Sequence, residues 1–339
     1  MTLGIIIVCY DDKVDSTELI EQLILQKNKK DKILIIDNNP KKLNSRKLEK
    51  IKGIHKIINQ KNIGFGAACN LGADQLKDYV DYFLFLNPDT TIGSSTLDEF
   101  RQIDSKHEAY MGLLLTKNNV INNNGTQVHI SGMSWCGDLG KKYTKSNKKI
   151  IDINYASGAC LMVNKETFIN VGGFDDNYFL YYEDTDLCSK IIKSGGKIAL
   201  LRNAIVYHDY TETVSDAKYF NLQKNRIIYM IENWSILILI TLSPVILISE
   251  LALIFHSLLI GRLRLKLESY VHLLRNFDNI LSSRKFHNRL TKINDLEYFK
   301  TLSHQIDSKL INKNVFIDLA NHLFKIYYKL AVNILNLIN

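Results

Sequence analysis

Leu3-Gly4-Ile5-Ile6-Ile7-Val8-Cys9, running straight into Tyr10-Asp11-Asp12, decides the fold. A near-continuous apolar run of this length, ended by polar residues, reads as a strand buried on both faces. Similar runs recur at 32–37, 54–58 and 82–87, and helical patterns occupy 17–26, 66–79 and 94–104. Such strands alternating with helices predict an α/β domain with a mostly parallel central sheet, covered on both sides. Sheets of this kind bind ligands beyond the carboxyl ends of their strands. Three of these strands end in polar groups, at Tyr10-Asp11-Asp12, Asp37-Asn38-Asn39 and Asn87-Pro88-Asp89.

The pattern changes after residue 117. Asn, Gly and Lys with short apolar pieces fill 118–151, which predicts a hairpin and a mobile loop. Order returns with a strand at 155–163, a helix near 165–171 and a second helix at 183–194. Gly195-Gly196 suits the C-cap of that second helix. Strands at 198–201 and 204–208 close the region.

Composition narrows the setting. The 339 residues suffice for one large domain with an appendage, or for two domains. Cys9, Cys69, Cys136, Cys160 and Cys188 are scattered, with no Cys-x-x-Cys pair, which argues for reduced thiols rather than disulfides or a zinc site. The apolar start lacks a basic leader and runs into Asp11-Asp12, so it reads as a strand and not as a signal peptide. The net charge of +8 favours an anionic partner, and membrane or phosphate is expected over nucleic acid because no nucleic-acid module is visible.

Chemistry concentrates in Gly172-Gly173-Phe174-Asp175-Asp176, Tyr181-Tyr182-Glu183-Asp184-Thr185-Asp186 and Val206-Tyr207-His208. Three carboxylates within four positions, beside aromatic residues, have two readings. They are either acids favoured at a helix N-terminus, or groups that handle a proton or a cation. Asn62-Ile63-Gly64-Phe65-Gly66-Ala67-Ala68-Cys69 has a Gly-x-Gly start, but Cys69 stands where a dinucleotide fingerprint needs its third glycine. It also follows the third strand rather than the first, so a nicotinamide site is not expected.

Taken in order, Ile7–Asp11, Ile36–Asn39, Asn62–Gly72, Leu86–Asp89, Gly172–Asp175, Glu183-Asp184-x-Asp186 and His208 resemble a family 2 glycosyltransferase. The resemblance covers about residues 3–230 and is strongest to the bacterial branch with rhamnosyltransferases of cell-surface polysaccharide synthesis. It implies a GT-A fold that binds a nucleoside diphosphate sugar at the strand ends. Asp37 would then accept a base N–H, with Tyr10, Asp11 and Asn87 lining the nucleotide pocket and Asn62, Gly64 and Phe65 packing beside nucleotide and sugar. Asp89 and His208 would hold Mg²⁺ or Mn²⁺, a hard cation suited to carboxylate and phosphate oxygens. Asn87 replaces the first acid of the usual Asp-x-Asp and leaves one negative ligand fewer. Asp184 maps to the catalytic base, Glu183 and Gly158 to the acceptor side, and Asp186 to a structural role. Lys224-Asn225-Arg226 matches the family's basic residue and Asn on the helix after the histidine, placed near the diphosphate.

The last third differs in character. Residues 235–260 are long and apolar enough to span a bilayer, but Pro244 interrupts them and Glu250 and His256 lie inside. A charge at mid-bilayer costs at least ~2.5 kcal/mol. The preferred reading is a segment lying in the membrane interface, backed by basic 262–266. A single crossing or a buried helical hairpin are the alternatives, and 315–338, with apolar positions at helical spacing, is either a second membrane-lying helix or a packed one. The expected organisation is a catalytic domain at 1–230 and a helical membrane-associating region at 231–339. The expected function is inverting transfer of a sugar, with rhamnose implied by the branch, to a lipid-linked or polysaccharide acceptor at the cytoplasmic face of the membrane. UDP-hexoses and UDP-N-acetylhexosamines stay open as donors. A metal-dependent nucleotidyltransferase and a catalytically silent sugar-binding protein are the alternatives.

Overall fold

A computed structural model describes residues 1–10, 14–39, 53–58, 61–209, 214–307 and 315–338. The chain opens as β1 (Leu3–Cys9), α1 (Thr17–Gln26), β2 (Lys32–Asp37), β3 (His55–Ile58), α2 (Phe65–Leu76), β4 (Tyr82–Leu86), β5 (Thr90–Ile92) and α3 (Thr96–Arg101). There follow β6 (Ala109–Leu115), β7 (Ile121–Asn123), β8 (Thr126–Val128), β9 (Ser134–Cys136), β10 (Ile150–Ile153), β11 (Cys160–Asn164), α4 (Lys165–Asn170), α5 (Glu183–Lys193) and β12 (Ile198–His208). The remainder is helical: α6 (Asp216–Asn233), α7 (Ile236–Leu259), α8 (Leu263–Arg275), α9 (Phe277–Leu290), α10 (Asp295–Phe299) and α11 (Val315–Ile338).

The main sheet runs β10-β12-β6-β11-β4-β1-β2-β3, with β5 added on β12 and β7 on β6. β3, β2, β1 and β4 are mutually parallel, with Ile5 opposite Ile33 and Leu84. Every residue of β1 is buried, as the unbroken apolar run requires. The expected strands at 198–201 and 204–208 form one strand, because β12 stays in the ladder of β6 through a register shift between Leu201 and Ile205. Gly195 ends α5 with φ 87°, and the Gly196 N–H reaches the Ile191 carbonyl at 2.9 Å.

Two pairings carry later segments to the strand ends. β11 lies antiparallel to β4, Cys160 opposite Leu86, and the Asn87 N–H donates to the Ala159 carbonyl at 3.1 Å. β5 lies antiparallel to β12, setting Thr90 opposite His208. Residues 157–159, 87–89 and 208 therefore meet at one end of the sheet. Trp234, Ile238, Leu242, Tyr298 and Phe299 belong to the same buried cluster as the strands. A boundary at residue 230 falls in the last turn of α6, and the helices beyond it share the core of the sheet.

Candidate active site

The site is built where α2 and α5 begin. Gly64 precedes α2 with φ 89°, and a Cβ there would lie 2.6 Å from the Phe179 carbonyl oxygen. Only glycine accepts that backbone at that approach. The Phe65 N–H donates to the same carbonyl at 2.8 Å. Asn38 ties this turn to the end of β2: its amide nitrogen donates to Asn62 Oδ1 at 2.8 Å and to the Gly64 carbonyl at 3.1 Å, and its Oδ1 accepts from Ile63 N–H. Asn62 Oδ1 also accepts from Gly64 N–H at 2.9 Å, so Asn62 shapes the turn.

Asp37 is fully buried at the end of β2. Its Oδ1 accepts the Asn39 N–H at 3.2 Å, whereas its Oδ2 has no hydrogen-bond partner among the described residues. A buried acceptor in that condition calls for a donor, which a nucleobase N–H can supply. Tyr10 is 53% exposed at the adjacent end of β1, its carbonyl accepting from the Asn39 amide at 2.8 Å. Asp11 lies outside the described residues.

The approach to α5 is unusual. Phe179, Tyr181 and Tyr182 all have left-handed backbones, with φ of 60°, 69° and 72°. Such residues persist only when the surroundings over-determine them. The Asn225 side chain does so here: its amide group is shared among the carbonyls of Tyr178, Leu180 and Tyr181 at 2.9, 2.8 and 2.7 Å. Asn225 is thus committed to this loop. Arg226 donates to the Ser131 carbonyl at 2.7 Å and ion-pairs with Glu250. Lys224 Nζ sits 5.9 Å over the Phe220 ring. All three residues are buried, and the Asn225 and Arg226 side chains support the interior.

Asp184 follows this loop in the first turn of α5. Its Oδ2 accepts the Gly158 N–H at 2.8 Å, and its Oδ1 accepts the Thr185 N–H at 2.7 Å and the Thr185 hydroxyl at 3.2 Å. Burial pushes its carboxyl above the ordinary value in spite of these bonds. Gly158 matters for its smallness, since a Cβ there would be 3.4 Å from both Asp184 Cβ and Phe65 Cε1. Burial, and then the Asp184 charge, push Glu183 up to about 8. Its Oε2 has no hydrogen-bond partner among the described residues. Asp186 is fully buried, 3.1 Å from Lys190 Nζ and 2.8 Å from the Asn233 amide.

Asp89 and His208 meet across the β5–β12 pairing, Oδ1 to Nε2 at 3.3 Å. Burial alone would raise the Asp89 carboxyl, but the His208 hydrogen bond and charge outweigh it and hold the group below its ordinary value. A carboxylate kept ionised beside an imidazole is a fitting donor set for a divalent cation that also binds phosphate. A second group, Asp175, Glu232 and His287, has candidate ligand atoms within 4.8 Å of one another, but none of these residues lines the cleft.

A cavity of about 230 Å³ brings part of this set together, while Tyr10, Asp37, Asn62, Gly64 and Asp89 do not line it. Phe65, Asn87, Gly158, Glu183, Asp184 and His208 all line it. Tyr181 and Tyr182, beside the acidic cluster, line it too, but the rest of its wall was not foreseen: Asn122 and Asn123 from β7, Ser134, Trp135 and Cys136 from β9, and Leu222 from α6. The one sequence signal for that wall is Trp135, a large aromatic within a polar stretch.

A family model described as glycosyltransferase like family 2 matches residues 5–239. The chain belongs to that family. Among curated relatives of this family 2 chain, the rhamnosyltransferase WbbL of Escherichia coli K12 is 29% identical over 149 residues, 40% of this chain and 56% of WbbL. The N-acetylglucosaminyl-diphospho-decaprenol L-rhamnosyltransferase of Mycobacterium tuberculosis is 41% identical over 56 residues, 16% of this chain and 18% of that protein. The matched part therefore spans about half of WbbL and less of the mycobacterial relative. A crystal structure of GalNAc-T7 with UDP, GalNAc and Mn²⁺ superposes with a TM-score of 0.56 at 16% identity, covering 69% of this chain and 48% of that one. The fold of this family 2 protein is GT-A.

Proposed function

We propose that this family 2 protein is an inverting glycosyltransferase of cell-surface glycan synthesis. It moves a sugar from a nucleoside diphosphate sugar to a hydroxyl of a lipid-linked or polysaccharide acceptor at the cytoplasmic face of the membrane. dTDP-rhamnose is the first donor to test, given the two rhamnosyltransferase relatives. Residues 1–230 carry the chemistry and 231–339 the membrane contact. The observation that carries the reading is a half-buried carboxylate, Asp184, oriented by Gly158 and Thr185, in the same cavity as His208 of the Asp89–His208 pair.

Asp37 holds the base through its open Oδ2, and Gly64 and Phe65 shape the turn over which nucleotide and sugar lie. Asp184 takes the proton of the acceptor hydroxyl while that oxygen bonds to the anomeric carbon, and the bond from that carbon to the diphosphate oxygen breaks on the opposite face. The products are the inverted glycoside and a nucleoside diphosphate. Mg²⁺ or Mn²⁺ held by Asp89 and His208 would neutralise the charge gathering on the leaving diphosphate. Glu183, neutral near pH 7, offers a hydrogen bond on the acceptor side rather than a second negative charge beside the base.

Calorimetric titration with nucleoside diphosphates and their sugars, with and without Mn²⁺, tests this directly. Metal-dependent binding of one nucleotide, followed by transfer of its sugar with inversion, is the expected result. Folded protein that binds no nucleotide under either condition would sink the proposal.

A further inference from the structure

α7 packs through a mixed face and is apolar outside. Its packed face carries Ile238, Leu242 and Val245 together with Thr241, Ser249 and Ser257. Glu250 turns toward the body, where it ion-pairs with Arg226 and, at 2.5 Å, with Lys266. The outward face presents Ile240, Leu247, Leu251, Phe255, Leu258 and Leu259, each more than half exposed. α11 repeats the arrangement with Phe316, Leu319, Leu323, Ile326 and Leu330, also more than half exposed. The spacing of three and four residues puts each set on one helix face. The two helices pack together, the Tyr327 hydroxyl donating to the Thr241 carbonyl at 2.5 Å. Soluble monomers do not leave apolar faces of this extent in water.

Charge identifies what covers them. Lys325 and Lys329 stand exposed beside the α11 stripe against one exposed acid, Asp318, and Arg275 with Arg264, the latter 2.9 Å from Glu268, stand exposed among Leu267, Val271 and Leu274 of α8, so the cations outnumber the acids. Apolar stripes bordered by basic side chains fit the boundary between acyl chains and anionic headgroups. A crossing would require α7 to leave the body, and its polar anchors hold it there. The end of α7 packs on α6, the helix that brings Leu222 to the cleft. Ser257 Oγ is 2.5 Å from the Tyr219 hydroxyl, Lys218 Nζ is 5.8 Å above the Tyr181 ring, and Tyr181 and Leu222 line the cavity.

We infer that the outward faces of α7 and α11 form one docking surface for an anionic bilayer. α7 lies in the membrane plane without crossing it, and the cleft opens to an acceptor presented from that bilayer. The surface stands independently of the proposed chemistry; only the acceptor clause rests on it.

The test is flotation of the full chain with phosphatidylglycerol-containing and pure phosphatidylcholine vesicles. One variant combines Leu247→Glu, Leu251→Glu and Phe255→Glu; a second combines Leu319→Glu, Leu323→Glu and Ile326→Glu. These positions are exposed, so melting temperatures should be kept. The wild type should float with anionic vesicles and be released by alkaline carbonate, and each variant should lose at least ~10-fold in vesicle binding. Variants that float like the wild type, or a wild type that resists carbonate, would overturn the inference. So would a wild type that ignores vesicles but forms a dimer that the variants break, since a second copy would then be the occupant. In transfer assays the variants should keep the rate on a water-soluble short-chain acceptor and lose at least ~10-fold on a vesicle-borne one. A wild type that floats but transfers to neither acceptor ends the transferase reading and leaves the docking surface standing.

Discussion

Replacing Glu183 by Gln removes a titrating group while keeping its shape, and the structure fixes what should follow. Burial first, and the Asp184 charge second, raise the Glu183 carboxyl from 4.5 to about 8. Its Oε2 has no partner among the described residues to replace water. Between those two values the folded state keeps a proton that the unfolded chain has lost. Stability therefore falls as pH rises through the window and levels off above 8. At ~1.36 kcal/mol per pH unit the cost approaches about 3 kcal/mol by pH 7 and about 5 by pH 8. These are upper bounds, because relaxation and water entry soften the penalty on a buried charge. The amide bears no such cost. Urea midpoints at pH 5, 6, 7 and 8 should show Glu183→Gln little different from wild type at pH 5 and more stable by about 2–4 kcal/mol at pH 8. A stability gap that does not change with pH would refute the claim that Glu183 is held protonated. Catalysis gives a second readout. The amide still donates a hydrogen bond, so the variant should work near neutrality and outlast the wild type at pH 9, where ionised Glu183 sets a second negative charge beside Asp184.

Asp184→Asn should lower kcat by ~10²–10⁴ while leaving nucleotide affinity in place; loss of both in calorimetry would make Asp184 structural. Since burial raises its carboxyl, the wild-type rate should fall as pH drops through a value above that of an unperturbed aspartate, and a pH profile checks this. Asp89→Ala should weaken Mn²⁺-dependent nucleotide binding, and an unchanged metal dependence would remove Asp89 from the cation site. Asn225→Ala removes the amide shared by three carbonyls and should cost about 2–3 kcal/mol in thermal unfolding. It should also lower kcat more than nucleotide affinity, and an unaltered kcat would mean that the loop before Asp184 keeps its shape unaided.

The parallel half of the sheet was legible because β1, β2 and β4 are buried on both faces, so local hydropathy alone marks them. The strand-end residues followed from the same reading, since the end of a buried strand must turn polar where it meets solvent. The Asn122, Trp135 and Cys136 wall was hidden for the opposite reason. β7, β8 and β9 are three residues each, and distant partners hold the region: the Thr126 N–H reaches the Tyr155 carbonyl, and the Ile130 N–H reaches the Ser303 carbonyl. No local periodicity records a contact with a residue more than a hundred positions away. Arg226 shows the same limit, because a buried cation that answers a half-buried acid looks in sequence like one that faces water.

Glu250 joins these two lessons. In the sequence it is an objection, a charge inside an apolar segment long enough to cross a bilayer. In the structure it is an anchor to Arg226, and Arg226 and Asn225 are neighbours on one turn of α6. Asn225 holds the left-handed loop that delivers Glu183 and Asp184 to the cleft, and Arg226 holds the helix whose far side is apolar. A single turn of α6 therefore fixes the catalytic loop on one side and α7 on the other. The spacing between Asp184 and the apolar face of α7 is then set by one turn of the fold, which is what the proposed function needs if its acceptor is tethered at a fixed height above a membrane.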